Sequence, residues 1–173
     1  MGQYFQPSII KLNEDGSLKE VTAWGYSHDY NNGLKLMEHS YIGNNFVNTI
    51  ENLLFENPCN LVWAGDYADP EPGSEHNINS LGDDDNRMGP GNEKTYTKRV
   101  YVKNHTKMEY IKVTKDTRGL VVHPLPLLTA EGNGRGSGDY RGSSSDVGIW
   151  ARDLISVSDK EPGSEFKKRT VCF

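Results

Sequence analysis

The sequence predicts an α+β fold with one mainly antiparallel sheet built from hairpins, one main helix at about 45–56, and long loops. Three observations predict it. Apolar runs come in pairs around short turn-forming stretches at 13–17 and 104–107, and a single segment carries a clear helical period. With 18 glycines, 8 prolines and a hydrophobic content of only 35%, a large share of the chain is left for turns and loops. At 173 residues, the expectation is a single domain over 1–173.

The elements follow in order. Residues 4–12 and 18–24 are apolar-rich and flank Asp15-Gly16, a pair that tolerates the left-handed region and closes a hairpin. Residues 25–33 are turn-rich, and the short apolar stretch at 34–37 reads equally as strand or helix. Asn44 or Asn45 can cap a helix in which Phe46, Ile50, Leu53 and Leu54 share a face, with Pro58 beyond its end. Leu61, Val62, Trp63 and Ala64 read as a buried strand. Residues 70–95 are so rich in Pro, Gly, Asn and Asp that they form one long loop, the acidic loop of about 65–95. A second hairpin pairs 98–103 with 108–113. The run 120–129 is apolar, but Pro124 and Pro126 exclude a central strand and favour an edge or an extended crossing. A glycine-rich loop of about 131–146 precedes a closing strand at 148–158.

Charge is unevenly distributed. No lysine or arginine lies between Lys35 and Arg87, where ten acids fall, whereas from Arg87 to Arg118 nine cations stand against three acids. A segment of net minus ten beside one of net plus six must pair internally or meet something outside. Internal pairing of the acidic loop with the basic hairpin is the favoured expectation. The sequence pI near 5.5 argues against general nucleic-acid or membrane-surface binding. No apolar segment of membrane-spanning length and no export signal is present, so the expected location is cytoplasmic. Two cysteines, Cys59 and Cys172, make no disulfide framework.

Two loops are candidate sites. Asp66, Asp69 and Glu71 follow a rigid strand and supply the carboxylate oxygens that a hard cation such as Ca²⁺ or Mg²⁺ takes. The competing reading is a solvated acidic loop, and the run 83–88 fails the EF-hand pattern at Arg87 and Met88. In the glycine-rich loop, successive backbone N–H groups together with Arg135 and Arg141 can cradle an anion, with Asp139 and Tyr140 beside them. Its glycine spacing fits neither a dinucleotide fingerprint nor a P-loop, and no Gly-x-Ser-x-Gly elbow or H-x-x-x-H pair occurs anywhere.

The segments Met1-Gly2-Gln3-Tyr4, Gly33-Leu34-Lys35-Leu36-Met37-Glu38-His39-Ser40, Trp63-Ala64-Gly65-Asp66-Tyr67-Ala68-Asp69, Asn104-His105-Thr106-Lys107-Met108-Glu109-Tyr110 and Leu127-Leu128-Thr129-Ala130-Glu131-Gly132-Asn133-Gly134-Arg135-Gly136 resemble, in that order, segments of uncharacterised intracellular proteins that begin Met-Gly-Gln-Tyr. The resemblance implies one intact domain and carries over no catalytic residue and no cofactor.

The expectation for function is a soluble intracellular binding domain, more binding protein than enzyme, whose partner is a small anionic ligand or another protein. The alternative is a metal-dependent hydrolase of a phosphorylated small molecule. There Asp66, Asp69 and Glu71 would hold the cation, His76 would be the base, and Arg135 and Arg141 would clamp the phosphate. The two readings separate on whether the acidic and glycine-rich loops converge on one pocket.

Overall fold

Residues 2–90, 101–114, 122–132, 145–171 and 173 are described by a computed structural model. Strands β1 (Phe5–Leu12) and β2 (Leu18–Gly25) form the opening hairpin, closed by a turn in which Gly16 takes φ 82°. Pro7 is tolerated inside β1 because it faces Trp63 on one side, while pairing with β2 begins only at Ser8. The ambiguous stretch resolves as one helical turn, α1 (Leu36–His39). Helix α2 (Asn45–Leu54) starts where the Asn44 side chain accepts the N–H of Phe46 at 2.9 Å. It buries Phe46, Val47, Ile50 and Leu54, whereas Leu53 remains 39% exposed.

Then come β3 (Cys59–Gly65), β4 (Arg87–Met88), β5 (Tyr101–Asn104) and β6 (Glu109–Lys112), of which β5 and β6 form the second hairpin. The proline-punctuated run is not an extended crossing. Pro124 sits at the first position of α3 (Pro124–Leu128), where its missing N–H costs nothing, and His123 caps it by accepting the N–H of Leu125 at 3.1 Å. Strands β7 (Ala130–Glu131), β8 (Leu154–Ser158) and β9 (Lys167–Lys168) complete the chain. The expected closing strand is therefore shorter: residues 145–152 form turns, with Gly148 at φ 80° and Arg152 at φ 68°.

These strands make one nine-stranded sheet, eight of them in the order β4-β2-β1-β3-β8-β5-β6-β9 and β7 off that path beside β3. It is mixed. The hairpins and the β1–β3, β3–β8 and β5–β8 pairs are antiparallel, but β4, β7 and β9 each pair in parallel. β3 carries β8 and β7 end to end along one edge: Cys59 and Asn60 face β8, and Trp63 and Ala64 face β7. Among the described residues no helix is long and apolar enough to cross a membrane.

Alternation along the strands gives the sheet two buried faces. Phe5, Ile9, Leu61, Trp63, Val102, Ile155 and Val157 pack with α2 and α3 in the main core. Ile10, Val62 and Ala64 form a second cluster on the opposite face, and what covers it is the acidic loop, through Ile78. Asn79 fastens that cover: its side chain donates to the Ala64 carbonyl at 2.8 Å, and its own carbonyl accepts from the Gln6 amide at 2.6 Å. Trp24 adds an indole N–H to the Asp83 carbonyl at 2.7 Å.

That placement sets the described part of the basic hairpin away from the acidic loop, while Lys94, Lys98, Arg99, Lys115 and Arg118 lie outside the described residues. The acidic loop lies over β3, β1 and β2, while β5 and β6 are at the other end of the sheet. Among the described residues no ion pair joins 65–86 to 101–112; Lys103 pairs instead with Glu56 at 3.9 Å, and Lys107 with Asp153.

A cleft organised around Arg152

The two candidate loops meet at Arg152. Its Nη1 and Nη2 donate to Glu71 of the acidic loop at 3.1 and 2.5 Å, and its Nε and Nη2 donate to Glu131, at the root of the glycine-rich loop, at 2.7 and 2.6 Å. One guanidinium thus serves two carboxylates in fork geometry, the strongest form of charge-assisted hydrogen bonding available to side chains. Hydrogen bonds to Glu131 first, and then to Glu71, push the guanidinium pKa further up against the desolvation that burial imposes.

Each member is placed by its neighbours. Glu71 is locked in a turn, its N–H donating to the His76 carbonyl at 2.9 Å and its carbonyl accepting from Ser74 at 2.9 Å. Glu131 ends β7, held in register beside Ala64. Arg152 is fixed by its N–H donating to the Leu61 carbonyl at 2.8 Å, and its own carbonyl accepts the Asn60 side chain at 2.8 Å. Its neighbour Asp153 is gripped by Asn104 and Lys107, and the Leu154 N–H by Thr106. A positive φ at an arginine is strained, and strain persists only where surrounding contacts over-determine it, as they do here.

Beside this network lies an open cleft of about 300 Å³ lined by Ala130, Glu131, Gly132, Val147, Gly148, Ile149 and Ala151. Gly132, the last described residue before 133–144, stands in its wall. Gly148 is required by its neighbours: at φ 80°, a Cβ there would lie 2.6 Å from the Ala130 carbonyl oxygen. Gly132 is a packing glycine, because a Cβ would meet the Gln3 side-chain oxygen at 2.0 Å. The far wall is braced by Arg169, which donates to Asp146 at 2.8 Å and to Glu109 at 3.3 Å; Glu109 also accepts the Trp150 indole N–H at 3.2 Å.

The chain's opening segment underlies the same corner. Tyr4 and Asp66 exchange two bonds, the Tyr4 N–H to the Asp66 carboxylate at 2.9 Å and the Asp66 N–H to the Tyr4 carbonyl at 3.0 Å. Gln3 packs against both Gly65 and Gly132. Beneath them, His39 accepts the Trp63 indole N–H at 2.9 Å on Nε2, while its Nδ1 faces the Gly33 carbonyl at 3.1 Å. That pair of contacts selects the neutral tautomer with its proton on Nδ1. Desolvation lowers the His39 pKa from 6.5 to about 4.

The residues read from sequence as metal ligands are therefore dispersed in their roles. Asp66 caps Tyr4, Asp69 is exposed, and Glu71 is buried on Arg152. Among the described residues no group of three or more His, Cys, Asp or Glu side chains could hold a metal ion. Arg135, Asp139, Tyr140 and Arg141 lie outside the described residues. Arg152 had no sequence signal beyond being one of two adjacent charges, with Asp153, inside the apolar-rich closing run. The chain matches no family model, no curated protein and no solved structure.

Proposed function

We propose that this chain works by binding, and that the cleft beside Arg152 seats a small anionic ligand. In this reading Arg135 and Arg141 supply the anion contacts, Asp139 and Tyr140 orient the ligand, and Gly148 lets the backbone approach it. The observation that carries the reading is the meeting of two sequence-distant loops, through Glu71 and Glu131, on one strained arginine at the edge of a cleft. The cleft volume stands at the low end of the range for small-molecule sites, roughly 300–1,000 Å³. Binding is favoured over metal-assisted hydrolysis because Glu71 already spends both carboxylate oxygens on Arg152.

The test is an amide-resolved titration of the labelled protein with inorganic phosphate and with butyrate. The reading expects the Gly132, Gly148 and Ile149 amides to shift together and hydrogen exchange across 133–144 to slow. Shifts confined to surfaces away from 130–132 and 147–151 would sink it.

A further inference from the structure

Resting on that reading, we infer that Glu131 is a built-in stand-in for the ligand, and that the cleft takes a small carboxylic acid whose carboxylate replaces Glu131 on Arg152. The two carboxylates on the guanidinium are not equivalent. Glu71 has a side chain 8% exposed and is fastened through its own backbone to His76 and Ser74. Were it displaced, a charge would be left buried without a partner. Glu131 has a side chain 28% exposed and, among the described residues, is the one charged side chain lining the cleft. Released, it can rotate into water, so displacing it costs less than displacing the buried Glu71, and a ligand carboxylate taking over the same fork offsets the bonds lost.

The fork that Glu131 occupies, Nε and Nη2 of Arg152, is a geometry that any carboxylate can accept bidentately. Exchanging one carboxylate for another leaves the charge around the guanidinium as it was. A phosphate dianion would instead add negative charge beside Glu71 and the released Glu131. The remaining lining is apolar on one side, with Val147, Ile149 and Ala151, so the matching ligand carries a short hydrocarbon portion behind its carboxylate. Glu131 then acts as an intramolecular competitor: the binding-competent state is the fraction in which it has let go, and apparent affinity is reduced by that fraction.

The experiment is calorimetric titration of the full chain with butyrate and with inorganic phosphate, using wild type, Glu131→Gln and Arg152→Lys, with melting temperatures recorded in parallel. Removing the competitor should tighten butyrate binding by about tenfold in Glu131→Gln, even though that variant melts at a lower temperature. Arg152→Lys, without the fork, should lose most of the affinity. A purely structural Glu131 would lower the melting temperature and leave butyrate affinity unchanged or weaker, and that result overturns the inference. Phosphate binding more tightly than butyrate, with the cleft amides shifting, would overturn the carboxylate assignment while leaving the cleft as the ligand seat. If neither probe binds any variant that folds, both the inference and the proposed function fall.

Discussion

His39 shows how one side chain can be made to depend on its charge state. It is fully buried against Phe46, with ring centroids 5.3 Å apart, and stacked on Trp63, with both ring nitrogens engaged in the pattern of the neutral form. Protonation would put a second hydrogen on Nε2, facing the Trp63 indole N–H, and strand a charge among aromatic rings. The group facing it that favours charge is Glu38, which with the Gly33 carbonyl only partly offsets desolvation. The folded-state pKa, about 4, lies below the unfolded value of 6.5, so the unfolded chain binds the proton more readily. Stability from this group is complete above pH 6.5 and is lost as pH falls towards 4, by as much as about 3 kcal/mol. Urea unfolding at pH 7 and pH 4.5 checks it: the loss in wild type should exceed the loss in His39→Gln, and equal losses would remove His39 as the cause. None of this could be read from the sequence, where His39 had no partner at any informative spacing. Arg152 was hidden for the same reason. Its importance comes from Glu71 and Glu131, which lie 81 and 21 residues away along the chain.

At the scale of elements, what could be read was what is local. The opening hairpin follows from Asp15-Gly16 between two apolar runs, and α2 from its spacing of Phe46, Ile50 and Leu54 behind an asparagine cap. The cap itself is testable. The Asn44 side-chain oxygen takes the Phe46 N–H, and its amide donates to the Asn32 side chain at 2.8 Å, so it ties the helix start to the turn before α1. Asn44→Ala should lower stability by about 1 kcal/mol, measured as a shift in denaturation midpoint at constant slope, whereas Asn45→Ala, one position into the helix, should change it far less. A loss at Asn45 equal to that at Asn44 would place the cap wrongly. The proline-rich run misled because its prolines argue equally against a strand and for a helix start, and only the buried docking of Leu125, Leu127 and Leu128 decides between them. The acidic loop misled differently. Its composition reads as solvated chain, yet Ile78 and Asn79 make it the cover of the second apolar cluster, on β1 and β3, a role that two residues carry and average composition conceals.

Across the whole molecule, the sheet order turns a sequence pattern into a separation of charge. The acidic loop and the described part of the basic hairpin, close in sequence, are set apart along an eight-strand path, because β4 and the acidic loop belong with β2 while β5 and β6 attach beyond β8. Exposed Asp69, Glu75, Asp84 and Asp85 form no ion pair among the described residues, and Arg87, on which Asp84 acts, is already bound to Asp29, so their mutual repulsion is only partly relieved at that end. At the other end Lys112, Lys167 and Lys168 are exposed and crowd the β6–β9 edge. Unlike charges this far apart attract weakly through water, while like charges within each end repel at shorter range. The ion pairs that salt would weaken are largely half-exposed and contribute little, apart from the Arg152 network, whose buried Glu71 screening hardly reaches. Raising sodium chloride from about 10 mM to about 150 mM shortens the Debye length from roughly 30 Å to roughly 8 Å, which mutes both clusters. The melting temperature should therefore rise over that interval and then level off. A fall would mean that attraction between the two ends, or pairing through residues 91–100, outweighs repulsion within them. Replacing Asp84 and Asp85 together by Asn separates the cases, since it should reproduce the stabilisation at low salt and flatten the salt dependence only if repulsion dominates.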